Sequence, residues 1–289
     1  MAILFALIAL VGWGVGDIFG TKVARKIGNV YGFFWLHIFA LLFSSLYIPW
    51  AGRIENFTYL LLAFLLGLIV SFSSLLYFRG LEVGNASLVG TIAGSFSIIT
   101  IALSMIFFGE KVTLVQLMGI ILVILGVILS SFKIEDSKRK TWQSFLSNPG
   151  IIYALIAMVG WGIYFAFIRI PAEKIGWFWS YYPANFTAFL LIPFGLIKSN
   201  AFDIFKKPQT FTHTVLFMIL VTIATFAYNL GILRGLTSIV APISGSYPVL
   251  FVILTRIVFK DRLSRQQKLG VISALAGILV ISFASVEKV

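Results

Sequence analysis

The chain has 289 residues, of which 60% are hydrophobic and only 11% are charged, and its mean hydropathy is +1.03. A soluble domain carries about 25% charged residues, so this composition excludes an ordinary water-soluble protein. The net charge of +12 is spread over short loops instead of one helix face, which argues against a nucleic-acid partner. We therefore expect a protein whose main partner is the lipid bilayer.

Apolar runs of about 20 residues, the length that a helix needs to cross a bilayer, recur along the chain. Strands are not expected, because the runs are long and lack alternation, and a helix satisfies its own backbone hydrogen bonds in lipid. The predicted spans are residues 2–20, 31–50, 58–79, 86–108, 113–132, 150–170, 177–197, 213–234, 238–259 and 267–284. Basic residues follow the first run instead of preceding it, so we expect a retained span and not a signal peptide.

The two halves of the chain have related sequences. Residues 9–28 align without gaps with residues 157–176, and residues 77–132 align with residues 228–283. Each half contains five predicted spans, and an odd number reverses the direction in which the second half enters the membrane. This predicts an all-α membrane protein with ten transmembrane helices, arranged as two inverted five-helix repeats around a central cavity.

The predicted organisation is a first repeat over residues 1–132, a polar cytoplasmic linker over residues 133–149 and a second repeat over residues 150–289. Most Lys and Arg residues fall in this linker and in the loops on the same side of the membrane. The positive-inside rule places these loops in the cytoplasm and both termini outside a plasma or inner membrane. The sequence is compatible with a monomer or a homodimer.

Residues 87–127 and 238–278 resemble the closing segment of EamA-like transporters of the drug/metabolite transporter superfamily. The family pattern is a helix with Pro, an apolar run, a Gly-Glu pair, a short loop and a helix with spaced glycines. Pro248 fits this pattern in the second half, where the first half has Ser97. Gly109-Glu110 fits in the first half, where the second half has Lys260-Asp261.

The resemblance implies ten helices, a central cavity and alternating access without ATP. Family members move amino acids, other metabolites, sugars or drugs. The leading hypothesis is a secondary transporter for a small organic metabolite such as an amino acid or amphipathic amine, with export as one candidate direction. The alternative hypothesis is a non-transporting receptor or scaffold that retains the fold. The sequence has no cysteine, no metal-binding motif and no catalytic motif, so neither an enzyme nor a cofactor is expected.

Polar groups are costly in hydrocarbon, so those at membrane depth should face a cavity or another helix. The candidate substrate-binding residues are Trp13, Asp17, His37, Tyr77, Ser95, Trp161, Asn185, Tyr228, Asn229, Ser246 and Tyr247. Trp13 and Trp161 are equivalent in the two halves and lie well inside their spans. They favour an aromatic-lined cavity suited to organic cations or aromatic solutes. The equivalent pair Tyr77 and Tyr228 is expected to line the same cavity.

Several candidates have a second interpretation. Asp17 either binds a cationic group or a coupling proton, or lies at a wet helix end paired with Lys22. His37, the other candidate for proton coupling, and its counterpart Asn185 either contact solute or proton or join helices by hydrogen bonds. Ser95 and Ser246, each next to a glycine, indicate either close helix packing or a solute pocket.

Overall fold

The computed structural model describes residues 1–54, 56–84, 86–131, 149–259 and 264–286. This part of the chain is almost entirely helical and contains no β-strand. Seven helical segments within it are long and apolar enough to cross a membrane, and two shorter apolar helices accompany them. The protein is therefore an all-α, multi-pass membrane protein, as predicted. The predicted linker lies, apart from Pro149, outside the described residues.

The first half consists of six α-helices and one short 3-10 turn at Ile48–Trp50. The helices are α1 (Ala2–Ile27), α2 (Asn29–Ser45), α3 (Phe57–Val83), α4 (Ala86–Gly94), α5 (Phe96–Phe108) and α6 (Leu114–Ser131). The start of α3 is set by Asn56, whose side-chain oxygen accepts hydrogen bonds from the backbone N–H groups of Thr58 and Tyr59 at 3.0 and 3.4 Å. Such a cap satisfies donors that the first helical turn leaves unpaired.

The second half repeats most of this order. Its α-helices are α7 (Pro149–Phe167), α8 (Arg169–Tyr181), α9 (Pro208–Ile232), α10 (Thr237–Gly245), α11 (Tyr247–Phe259) and α12 (Arg265–Val286). Two 3-10 helices, Tyr182–Leu191 and Ser199–Lys206, lie between α8 and α9. The predicted span 177–197 therefore departs from a regular α-helix, and Pro183, which lacks a backbone N–H, lies at the start of its 3-10 segment.

Equivalent residues of the two halves have nearly the same backbone conformation. Gly28, between α1 and α2, has φ 82° and ψ 165°, and its counterpart Gly176, within α8, has φ 81° and ψ 164°. Ser95, between α4 and α5, has φ −71° and ψ 4°, and Ser246, between α10 and α11, has φ −79° and ψ 6°. A positive φ near 80° suits glycine, which explains the residue type at the first pair.

The predicted spans 86–108 and 238–259 are each broken into two helices, which the apolar pattern does not reveal. The breaks occur at Ser95 and Ser246. The first half lacks the proline that follows the break in the second half, so a proline is not required for such a break. The two breaks also meet. A Cβ on Gly94 would lie 2.6 Å from Cγ of Pro248, and a Cβ on Gly245 would lie 3.1 Å from Cβ of Ser97. Glycine therefore permits the two broken helices to cross in close contact.

Contacts between helices of the two halves occur in equivalent pairs. Helix α1 packs along α9, and its counterpart α7 packs along α3. Helix α6 packs along α12, and α2 packs against the 3-10 helix Tyr182–Leu191. Small residues allow these approaches: a Cβ on Gly12 would lie 2.7 Å from Cβ of Ala224. Several helices of the two halves thus pack against each other, and the cavity described below is lined by residues of both halves.

Candidate functional site

A cavity of about 120 Å³ lies between the halves and is lined by residues of both. Seven of the predicted site residues line it, namely Trp13, Asp17, His37, Tyr77, Trp161, Asn185 and Tyr247. Four predicted residues, Ser95, Tyr228, Asn229 and Ser246, are not part of the lining. The rest of the wall is mainly apolar or aromatic, and includes Leu36, Val70, Phe96, Phe165, Phe217 and Val221.

Asp17 places a carboxyl group in this apolar wall. It is only 9% exposed, and the Tyr77 hydroxyl donates a hydrogen bond to its Oδ2 at 2.6 Å. Among the described residues Asp17 has no ion-pair partner. The Nζ of Lys22 instead lies 5.8 Å from the ring centroid of Phe19. Asp17 is therefore a buried cavity residue, and the structure does not show the predicted alternative of a wet helix end paired with Lys22.

His37 lies on α2 and is likewise 9% exposed. Its Nδ1 is 3.0 Å from the carbonyl oxygen of Phe33, one turn earlier in the same helix. Because a carbonyl only accepts, Nδ1 carries the proton in this bond, and Nε2 is the nitrogen left for a solute or a second proton. The bond lies within one helix, so it does not join helices.

Asn185, the counterpart of His37, lines the same cavity from the other half. Its Nδ2 donates to the carbonyl oxygen of Tyr182 at 3.3 Å. The two residues are thus equivalent in the sequence repeat and reach one shared space. A neutral amide and an imidazole can both donate and accept hydrogen bonds, so this part of the wall can bind polar groups of a solute.

Aromatic rings from both halves surround the cavity. The ring of Trp13 lies 5.2 Å from that of Phe165 and 6.2 Å from that of Tyr247, measured between centroids. The ring of Trp161 lies 4.8 Å from that of Tyr77, and its Nε1 donates to Oγ of Ser74 at 3.2 Å. Trp13 and Trp161, which are equivalent in the two halves, thus both lie in the wall of the cavity instead of at the lipid interface. The faces of their rings can attract a cation.

Tyr228 and Asn229 are fully buried beside the cavity wall. The Tyr228 hydroxyl donates to the carbonyl oxygen of Phe165 at 3.0 Å. Asn229 Nδ2 donates to Oγ of Ser180 at 3.2 Å. Both side chains therefore connect helices of the second half.

The side chains of Ser95 and Ser246 bond to their own helices. Ser95 Oγ donates to the carbonyl oxygen of Thr91 at 2.9 Å, and Ser246 Oγ donates to that of Ile243 at 2.6 Å. These bonds lie at the two helix breaks. The arrangement fits the packing interpretation of the Gly-Ser pairs, since neither hydroxyl belongs to the cavity lining.

One polar cluster that the sequence does not predict lies outside the cavity. The Glu110 side chain is 3% exposed, and its Oε1 lies 2.6 Å from Nη1 of Arg169. Its two oxygens also accept the backbone N–H groups of Thr237 and Ser238 at 2.8 and 2.7 Å. Glu110 of the first half therefore caps helix α10 of the second half. Arg169, near a helix end, would be expected from sequence to reach lipid headgroups, but it pairs with Glu110 and Glu173.

The apolar helices of the described chain and the cavity between its two related halves are those of a polytopic membrane protein. The chain belongs to the EamA-like transporter family, whose family model matches residues 1–132 and 148–283. The resemblance found in the repeat segments is thereby confirmed, and the protein is of the drug/metabolite transporter type. Proteins of this family are transporters, not enzymes.

Two individual proteins are similar to the chain. An uncharacterized protein of Methanocaldococcus jannaschii is 32% identical over 137 residues, which make up 45% of this chain and 96% of the relative. A protein of known crystal structure superposes with a TM-score of 0.70 at 17% identity, covering 98% of this chain and 97% of that chain. The second likeness shows that the two proteins share a fold.

Proposed function

We propose that the protein is a secondary transporter for a small organic solute that carries an amine, bound in the central cavity. The observation that carries this proposal is Asp17, a buried carboxyl group in an aromatic wall with Tyr77 as its hydrogen-bond partner. A carboxylate removed from water is costly unless a cation or several donors compensate its charge. A solute ammonium group would supply that compensation.

The charge of the wall supports a cationic solute. Among the described residues that line the cavity, Asp17 is acidic and none is Lys or Arg. The rings of Trp13, Tyr77, Trp161 and Tyr247 add faces that attract cations by about 0.5–2 kcal/mol each where water is excluded. An amine with an apolar body matches both features. His37 and Asn185 can bind a further polar group, such as the carboxylate of an amino acid.

The proposed mechanism is alternating access between two inverted five-helix repeats. Its support is the repeated backbone conformation at Gly28/Gly176 and Ser95/Ser246, and the packing that recurs with the halves exchanged. The relative that spans about one half of the chain fits an origin by duplication of a half-length unit. Inverted repeats allow one central site to face each side in turn.

Proton exchange is part of the proposal. A proton on Asp17 would neutralise the carboxyl group when the amine has left. The empty transporter could then return to its first orientation without a buried charge. Amine and proton would then compete for the same group. Acidification on the side from which the amine binds should weaken amine binding, and this effect should require Asp17.

The test is amine flux into proteoliposomes, measured with a panel of radiolabelled primary and N-methylated amines and amino acids across a pH series. Asp17→Asn should lower amine flux by about tenfold or more, as expected for the loss of about 1.4 kcal/mol or more of interaction. It should also remove the pH dependence. The matched control is Asp203→Asn, which changes an acidic side chain that is 40% exposed and lies outside the cavity.

Unchanged flux and unchanged pH dependence in Asp17→Asn would refute the role of Asp17. Solute-dependent stabilisation of the purified protein without any flux would instead favour the receptor or scaffold hypothesis.

A further inference from the structure

Gly90 on helix α4 is a buried glycine that neither packing nor backbone geometry explains. A Cβ added there would meet two atoms, the Tyr77 hydroxyl at 3.6 Å and Asp17 Oδ2 at 3.9 Å, which is ordinary van der Waals contact. Its φ lies outside the positive region that favours glycine. By contrast, a Cβ on Gly94 of the same helix would collide with Pro248 at 2.6 Å. Glycine weakens a helix relative to alanine, so its presence at position 90 calls for another reason.

Gly90 is not itself part of the cavity lining, but the two atoms near the position of an added Cβ belong to the lining residues Asp17 and Tyr77. The same glycine accepts a hydrogen bond at its carbonyl oxygen from the Tyr247 hydroxyl, at 3.3 Å. Asp17, Tyr77 and Tyr247 all line the central cavity, and they come from three different helices. Gly90 therefore lies where one carboxyl group and two phenol groups converge. A side chain at this position would begin within 4 Å of both the Tyr77 hydroxyl and the Asp17 carboxyl group.

In the second half of the chain, the position equivalent to Gly90 carries a side chain. In the gapless alignment Gly90 corresponds to Ala241, which is fully buried, and Asp17 corresponds to Phe165. The counterpart of Tyr77 is Tyr228, whose hydroxyl donates to the backbone of Phe165 instead of to a carboxyl group. Where the acid is absent, the glycine is absent too. The fold accepts a methyl group at this helix position in the second half. The absence of a side chain beside Asp17 is therefore a property of the first half alone.

We propose that Gly90 determines specificity by leaving a subsite beside Asp17 for a substituted ammonium group of the solute. This inference rests on the proposed function, because it concerns the amine bound at Asp17. A bare ammonium group needs contact with the carboxylate alone, and a side chain at position 90 would not prevent that contact. N-methyl groups need the additional space that Gly90 leaves. The subsite thus takes methylated as well as primary ammonium groups.

The test compares two cations with the same body, 2-phenylethylammonium and 2-phenylethyl-trimethylammonium, in flux and in ligand-stabilisation measurements on the full chain. Gly90→Ala should reduce transport of the trimethyl cation relative to the primary cation by about tenfold, the selectivity that one methyl-sized change in a pocket produces. Its Tm without ligand should be equal to or higher than that of the wild type. The matched control Ala241→Gly should leave the ratio of the two cations unchanged.

Two results would overturn the inference about Gly90 while leaving the proposed function intact. One is an unchanged ratio in Gly90→Ala while Asp17→Asn still abolishes transport of both cations. The other is a lower Tm in Gly90→Ala with an equal loss for both cations, which would show a packing role. If the wild-type protein neither binds nor moves either cation, both proposals fail.

Discussion

At the scale of single residues, the polar side chains of the cavity could be predicted from the sequence, whereas the ion pair between Glu110 and Arg169 outside the cavity could not. Asp17 and His37 stand out in the sequence because each interrupts a long apolar run, and burial in hydrocarbon requires a partner or a cavity. Glu110 and Arg169 lie near helix ends, where charged groups ordinarily reach water or headgroups. Their pairing depends on how the two halves pack, which no local pattern encodes.

The hydroxyl of Tyr77 gives a residue-scale prediction. Tyr77→Phe removes the hydrogen bond to Asp17 Oδ2 and keeps the aromatic ring. A hydrogen bond to a charged group contributes about 1.5–3 kcal/mol, so amine transport at low concentration should fall by about tenfold or more. The measurement is the concentration dependence of flux in proteoliposomes.

The matched control is Tyr228→Phe at the equivalent position of the second half. Tyr228 is not part of the cavity lining, and the substitution removes its bond to the backbone carbonyl of Phe165. The free energy of unfolding should therefore fall by about 1 kcal/mol, with amine affinity little changed. Equal effects of both substitutions on affinity would contradict the special role of Tyr77.

At the scale of helices, the limits of the sequence are clearest at the breaks. Hydropathy is the same for a continuous apolar helix and a broken one, so the runs 86–108 and 238–259 gave no sign of the turns at Ser95 and Ser246. The Gly-Ser pairs marked the right place, but small residues serve helix crossing as well as helix breaking. Here they do both, because the two breaks meet where the helices cross.

The cap on helix α10 gives an element-scale prediction. Glu110→Gln keeps the shape of the side chain but removes the charge that holds Arg169 and faces the two backbone N–H groups. Loss of a buried, charge-assisted contact should lower the free energy of unfolding by about 2 kcal/mol or more. Thermal unfolding in detergent measures this change.

Glu173→Gln is the control for that experiment, because it removes the other carboxylate from the same arginine. The Glu173 side chain is 46% exposed, so its ion pair should contribute at most about 1 kcal/mol. Equal destabilisation by the two substitutions would show that the burial of Glu110 has no special effect.

At the scale of the whole molecule, the apolar runs of the sequence and the lengths of the helices give different numbers of membrane spans. Ten apolar runs qualified as spans, whereas seven helical segments of the described chain are long enough to cross a membrane on their own. The difference arises at short or irregular segments such as α2 and the 3-10 helix Tyr182–Leu191. These two segments contain the equivalent residues His37 and Asn185, and they pack against each other.

The topology gives a prediction at this scale. The protein contains no cysteine, so a single cysteine introduced at an exposed position is the one residue of its type that can react with a thiol reagent. Under the positive-inside rule, Lys174→Cys should react with an impermeant maleimide in intact cells, and Ser199→Cys should react only after the membrane is opened. The reversed labelling pattern would show that the chain is inserted in the opposite orientation.

The single carboxyl group of Asp17 also has a consequence for the number of positive charges that the cavity can match. A transporter assembled from two identical half-length chains would carry every cavity residue twice, so an acid at the position of Asp17 would bring two neighbouring carboxylates. In a single chain with two related halves, one copy can change alone, and here Phe165 occupies the second position. A single chain of this kind can thus present one negative charge to the proposed amine, which matches the amine's single positive charge.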